Sequence, residues 1–370
     1  MYLKSKNGKA YGTIVGRAIS IILSLYIFLL AINLIGETFS LMGSEYIHQM
    51  IAITSNPFVG LLIGLLSTAI IQSSSTVTAV IVVAVGSGAI GLENAVPIIM
   101  GANIGTTVTC TLVSFGYLNN EKAFQRATGA ASLHGFFNIL TAIILLPLEL
   151  YFDVLSGAAS YLSTLIAGQD QIYITPTHFL DYLVNPVWLF LNQDLGASSV
   201  VIFLIAIGLV FLSIKWLNLS ARSLLLGEDS NKITQFMFEN DWKSLLSGTL
   251  LTLCIQSSSF TSSLAVAFAA TDKISIRSTL SFLVGANVGT TVTALIASMG
   301  NSQEALSIAL VHCLFNLCGL FIFMVPQVFS LAQRYAARIS KLSANRLHGL
   351  LYLILIFFIV PFILIWLSTN

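Results

Sequence analysis

Five consecutive polar side chains, Gln72-Ser73-Ser74-Ser75-Thr76, interrupt a hydrophobic stretch running from residue 56 to 89. Each flank is about 15 residues long, and as a helix it reaches roughly 22 Å. A bilayer's hydrocarbon core is roughly 30 Å thick. Neither flank can cross it alone, so the stretch predicts a re-entrant hairpin that dips to mid-membrane and returns. Backbone that leaves the helix at such depth survives only where protein or a water-filled cavity satisfies it. A break of this kind therefore marks either a site or a packing contact.

The break occurs twice. Gln256-Ser257-Ser258-Ser259 repeats it, an offset of 184 from 72 to 256. At the same offset, Gly101-Ala102-Asn103-Ile104-Gly105-Thr106-Thr107-Val108-Thr109 returns as Gly285-Ala286-Asn287-Val288-Gly289-Thr290-Thr291-Val292-Thr293. His134, Phe137 and Asn138 recur as His312, Phe315 and Asn316, after a six-residue shortening. The chain is an internal duplication, a plan common among secondary transporters.

Composition supports a membrane solvent. The chain is 56% hydrophobic and 8% charged, where a soluble domain is about a quarter charged. The net charge of +1 gives no footing for nucleic acid. Cys110, Cys254, Cys313 and Cys318 all lie in hydrophobic stretches. Their spacing suits neither a disulfide framework nor a zinc site.

Spans are expected at 14–35, 95–114, 128–149, 197–217, 278–298, 306–326 and 349–367, with hairpins at 56–90 and 244–270. The first span is too long for a signal peptide and lacks a small-x-small cleavage site. With the N-terminus in the cytoplasm, all 16 Lys and Arg residues face inside. Glu37, Glu45, Glu93, Asp153, Asp170, Asp181, Asp194 and Glu304 face outside. That satisfies the positive-inside rule, and treating either hairpin as a crossing would break it. Three crossings separate the two copies, and an odd number inverts the second. The expected fold is an all-α membrane protein of two inverted repeats, with both hairpin tips near the midplane. Residues 1–150 form the first repeat, 151–195 an extracytoplasmic connection, and 196–326 the second repeat. Residues 327–370 supply a basic cytoplasmic segment, read as an amphipathic surface helix, and the last span.

The tips suggest their chemistry. The second half-helix of each hairpin offers free N–H groups and a positive dipole end, which suits an anion. Hydroxyls of Ser73, Ser74, Ser75, Thr76, Ser257, Ser258, Ser259 and Thr261 add donors. Carbonyls ending the first half-helix, with Gln72, Gln256, Asn103, Asn287 and threonine hydroxyls, are hard oxygen ligands suited to Na⁺. Gly101, Gly105, Gly285 and Gly289 let the crossing helix unwind or approach the tip closely. No expected mid-membrane position carries Asp, Glu, Lys or Arg, so a buried oxyanion would take its counter-charge from Na⁺. His134 with Asn138, and His312 with Asn316, are i,i+4 pairs on one helix face, suited to a structural or a gating role. No carboxylate is expected beside either histidine, which argues against serine-nucleophile enzymology.

These residues resemble the type II sodium–phosphate cotransporter family. The paired Gln-Ser-Ser-Ser motifs, the run from Pro97 to Thr106 and the His134/Asn138 segment carry the likeness over about 14–326. The resemblance implies a symporter that imports phosphate by alternating access, with Na⁺ as co-transported ion and no organic cofactor. It implies phosphate at Gln72, Ser73, Ser74, Ser75, Thr76, Gln256, Ser257, Ser258 and Ser259. It implies Na⁺ at Gln72, Ser73, Asn103, Thr106, Thr107, Gln256, Ser257, Asn287, Thr290 and Thr291. Expected partners are phosphate, Na⁺ and lipid, with a homodimer left open. The stretch 150–195 has no cysteine, unlike the large disulfide-bonded loop of animal members, and position 107 is Thr where they tend to have Ser. The soluble C-terminal domain of some bacterial relatives is not expected here. It is thus expected to be a compact bacterial member of the inner membrane. Another small oxyanion or a dicarboxylate as substrate, and a phosphate channel or efflux valve, are the competing readings.

Overall fold

A computed structural model describes residues 3–41, 54–167, 186–194, 198–225, 235–299, 301–360 and 363. Among these residues all regular structure is helical. Six of the helices are long and apolar enough to cross a membrane, so the chain is an all-α multi-pass membrane protein.

The first half opens with α1 (Leu3–Leu41), whose apolar window is Ile22–Phe39 rather than 14–35. Then come α2 (Pro57–Ile71), α3 (Ser74–Gly86), α4 (Leu92–Phe115) and α5 (Glu121–Phe152). A joining helix, α6 (Val154–Ala167), follows. The second half has α7 (Ser199–Leu225), α8 (Asp241–Ile255), α9 (Ser258–Ala270), α10 (Ile276–Ser298) and α11 (Gln303–Met324). It is followed by α12 (Pro326–Leu342) and α13 (Arg346–Ile354), the latter running into a π-helical turn, Leu355–Ile359. The crossing expected at 349–367 lies partly outside the described residues. Residues 168–185 and 195 of the connecting segment lie wholly outside them.

The duplication reaches further than the motifs. Helices α2 and α8 start at 57 and 241 and end at 71 and 255. Both pairs keep the offset of 184 seen between Ser74 and Ser258.

Each hairpin packs on the crossing helix that follows it. Helix α2 lies along α4, and α8 along α10, with backbones in contact. A Cβ on Gly101 would fall 1.7 Å from the Leu61 carbonyl oxygen, and one on Gly285 would fall 2.0 Å from that of Leu245. Small residues are what allow such approach between membrane helices. Of the two roles expected for these glycines, the structure shows close approach. Helices α4 and α10 continue through them without unwinding.

Helix α5 orders the rest. Its 32 residues span about 48 Å. At its N-terminal end, Arg126 pairs with Asp272 at the base of the second hairpin, 2.8 Å away. At its C-terminal end, Asp153 and α6 share a surface cavity with Gly91, Leu92, Glu93 and Asn94 at the base of the first hairpin. The hairpin bases thus sit at opposite ends of α5.

Helix α6 occupies part of the stretch expected as a mere connection. Asp153 turns the chain in a left-handed conformation, φ 49°. The buried Glu149 carboxylate then accepts N–H bonds from Leu155 at 2.7 Å and Ser156 at 3.2 Å, capping the new helix. Helix α12 buries Ala332, Ala336 and Ile339 while exposing Arg334, Arg338 and Lys341.

Candidate functional site between the hairpin tips

The two tips share one geometry. Gln72 ends α2 at φ 58°, ψ 26°, and Gln256 ends α8 at φ 58°, ψ 31°. This left-handed region is uncommon for a residue with a Cβ, and a cluster of such strain at a site is a recognised pattern. The next residues, Ser73 and Ser257, are extended and cap α3 and α9. Their hydroxyl oxygens accept the N–H of Thr76 at 3.3 Å and of Phe260 at 3.2 Å. The first backbone bonds of these helices come from Val77 and Thr261. The N–H groups of Ser74, Ser75, Ser258 and Ser259 therefore lie ahead of the helical ladder, as helix starts require.

Both glutamine side chains are held at two points. The Gln72 Nε2 donates to the Ala69 carbonyl, and Gln256 Nε2 donates to that of Leu253 at 2.7 Å. The Gln72 Oε1 accepts from Thr109 Oγ1 at 3.0 Å, and Gln256 Oε1 accepts from Thr293 Oγ1 at 2.6 Å. Thr109 and Thr293 were missing from the expected site. The signal was in the sequence: each is the ninth residue of the duplicated Gly-Ala-Asn motif.

The tips meet, with Ser74 Oγ 3.5 Å from Ser258 Oγ. A cavity of roughly 170 Å³ lies beside them, lined by Gln72, Ser73, Ser74, Ser75, Gln256, Ser257, Ser258 and Ser259, with one wall from α7. That wall is Phe211, Ile214 and Lys215. Sites for drug-sized ligands usually run about 300–1,000 Å³, so this one suits small ions. Lys215 corrects the expectation that no fixed cation reaches the site. It lies one residue from the end of the apolar window Ser199–Trp216. Its position in sequence suggests the membrane surface; in the fold it is exposed and lines the cavity beside the tips.

The remaining expected residues lie elsewhere. Thr76 is buried at the tip, bonded to Ser73 Oγ at 2.8 Å, and does not line the cavity. Nor do Asn103, Thr106, Thr107, Asn287, Thr290 and Thr291. Hydroxyls of Thr106, Thr107, Thr290 and Thr291 donate to carbonyls of their own helices.

Asn103 and Asn287 instead join the copies. His134 Nε2 donates to Asn287 Oδ1 at 2.8 Å, and Asn287 Nδ2 donates to Asn138 Oδ1 at 2.7 Å. The mirror contacts are longer: His312 Nε2 and Asn316 Nδ2 each reach Asn103 Oδ1 at 3.3 Å. With Nε2 donating, Nδ1 is the acceptor, and at His134 it meets the Cys110 thiol at 3.3 Å. Ala294 stands where a second thiol would be, and His312 Nδ1 has no partner among the described residues. Among those residues no cluster of His, Cys, Asp or Glu could hold a metal. Asn287→Ala would leave the buried His134 and Asn138 without their cross-copy partner. A loss of about 2–3 kcal/mol is expected, read as a lower unfolding temperature of the purified protein in detergent.

Comparison with known proteins agrees with this duplicated plan. A family model described as Na⁺/Pi-cotransporter matches residues 27–151 and 209–343, one block in each copy. Sodium-dependent phosphate transport protein 2A of Rattus norvegicus is 29% identical over 419 residues, covering 91% of this chain and 65% of the relative. Protein 2B of Homo sapiens is 27% identical over 455 residues, covering 96% of this chain and 65% of the relative. The chain thus spans about 65% of the length of these curated relatives. No solved structure matches it.

Proposed function

This chain belongs to the Na⁺/Pi-cotransporter family, and from that premise we propose that it imports inorganic phosphate with Na⁺ across a bacterial plasma membrane. The observation that carries the reading is the pair of matched tips around one small polar cavity, 3.5 Å apart at Ser74 and Ser258. Phosphate would be held by the N–H groups at the starts of α3 and α9 and by the serine hydroxyls. Opposed helix starts favour an anion from both sides.

The bases of the hairpins at opposite ends of α5 support inverted repeats, and inversion supports alternating access. One hairpin would open the cavity outward and the other inward. Na⁺ would bind at Gln72, Ser73, Asn103, Thr106 and Thr107, and at Gln256, Ser257, Asn287, Thr290 and Thr291. Both asparagines are already bonded to histidines of the opposite copy. A Na⁺ that drew on their oxygens would loosen that bridge. Ion binding would thereby act on the contact between the copies, which is a physical route to coupling.

The test is radiolabelled phosphate uptake into proteoliposomes under an inward Na⁺ gradient or an equal K⁺ gradient. Accumulation only with Na⁺ is the expected result. Flux indifferent to Na⁺ would sink cotransport in favour of a channel. Stronger competition by sulfate or succinate than by unlabelled phosphate would move the substrate to those anions.

A further inference from the structure

We propose that Lys215 is the fixed cationic partner of the transported oxyanion, set against the two tips from a wall that is not part of either hairpin. The inference rests on the phosphate reading above and names a residue that the reading does not use.

The tip residues lining the cavity are all uncharged: two glutamines and six serines. Hydroxyls and amides orient an oxyanion but leave its charge unbalanced in a low-dielectric site, where an unpaired charge is heavily penalised. Lys215 is the one charged side chain in the cavity lining. An ammonium with three rotatable donors can follow an anion in more than one orientation, as a transport cycle demands.

The duplication sharpens the assignment. At the 184 offset Lys215 corresponds to Ala31, which is fully buried in α1. The tips are duplicated almost bond for bond, while the cation exists in one copy only. A packing residue would have no reason to break the symmetry with a charge beside the polar cradle. The wall is also separate in structure. Helix α7 packs mainly on α1 and touches α3 and α8 only lightly. Movement of the hairpins past α7 would carry the oxyanion toward Lys215 or away from it. Contact in one state and separation in the other would give a binding step and a release step. A protein-held charge also leaves one fewer for co-transported Na⁺ to balance.

The simplest alternative is a lysine that only snorkels to the lipid headgroups. The experiment separates the two. Wild type, K215R and K215Q are purified, checked for single-species elution and equal thermal unfolding, and assayed twice. Equilibrium binding of labelled phosphate is measured in detergent at saturating Na⁺. Uptake into proteoliposomes is then measured against phosphate at saturating Na⁺, and against Na⁺ at saturating phosphate. In K215Q, phosphate Kd and KM should rise about tenfold or more, the loss of one charge-assisted contact. Maximal rate and half-saturating Na⁺ should stay within about twofold, and K215R should recover most of the affinity. Phosphate binding equal to wild type in K215Q overturns the role of Lys215 and leaves the transport reading intact. A wild type that neither binds nor accumulates phosphate overturns both. A K215Q protein that elutes or unfolds abnormally, with K215R normal in fold but still weak in phosphate binding, also overturns it.

Discussion

Alanine at Gly101 or Gly285 should abolish the folded protein. The added methyl would lie 1.7 Å from the Leu61 carbonyl oxygen or 2.0 Å from that of Leu245. These obstacles are backbone atoms of a packed helix, which no rotamer change can move. Relief requires α2 to part from α4, or α8 from α10, along the tightest crossings in the bundle. Overpacking costs about 1–3 kcal/mol where side chains can yield, and more where they cannot. A loss above about 3 kcal/mol is expected, a large part of the roughly 5–15 kcal/mol that holds a native protein folded. The readout is the yield of single-species protein after detergent extraction. Gly60→Ala is the control. Its Cβ would find the nearest atom at 3.4 Å, an ordinary contact, and its yield should match wild type. Normal yield from both Gly101→Ala and Gly285→Ala would refute the close crossing.

Removing either tip glutamine should silence transport without unfolding the protein. Gln72 and Gln256 each hold a left-handed turn and tie it to a threonine on the crossing helix. Two variants separate backbone from side chain. Alanine loses the tie and keeps a Cβ in the left-handed region, while glycine loses the tie but adopts that conformation freely. Displacement of a binding group by about 1 Å can cost about a hundredfold in rate. Both Gln72→Ala and Gln72→Gly should therefore lower Na⁺-dependent phosphate uptake about a hundredfold, with glycine the more stable of the two. Recovery of uptake in the glycine variant would show that the turn alone matters. The same pair at Gln256 should behave alike, since the second tip repeats the first to within a few degrees. Thr109→Val and Thr293→Val remove the tie from the other side, and should reproduce most of the effect.

The helix breaks at Gln72 and Gln256 were legible because their signal is local. A polar break between apolar flanks too short to span leaves few foldings, and the copy at 256 repeats the message. The glycine crossings were half legible: Gly101 and Gly285 announced close approach, but unwinding of α4 and α10 was an equal candidate until the packing excluded it. Lys215 was not singled out because one-dimensional reasoning gives a lysine at the end of an apolar run to the headgroups. Only the fold sets that end of α7 beside the tips, with Lys215 in the cavity lining. The bridges from His134 to Asn287 and from His312 to Asn103 join residues 153 and 209 positions apart. Their i,i+4 partners were visible, but nothing local says which helix faces them. Helix α6 escaped notice because its start is fixed by Glu149, a side chain from the preceding helix folding back over it.

The length of α5 sets how the molecule sits in lipid. At about 48 Å it exceeds a hydrocarbon layer of roughly 30 Å by more than half. To stay wholly inside, it would have to lean by about 50°, beyond the usual range of about 0–40°. At an ordinary lean of about 20°, some ten residues protrude into the headgroups or the water. Those are its ends, where Arg126 meets Asp272 and Glu149 caps α6. In such a placement each hairpin's base would lie toward a membrane face and the tips would lie between them. A thicker or thinner bilayer would tilt this rod and, through its two ends, shift one hairpin against the other. Membrane thickness would thereby become a mechanical input to the cavity.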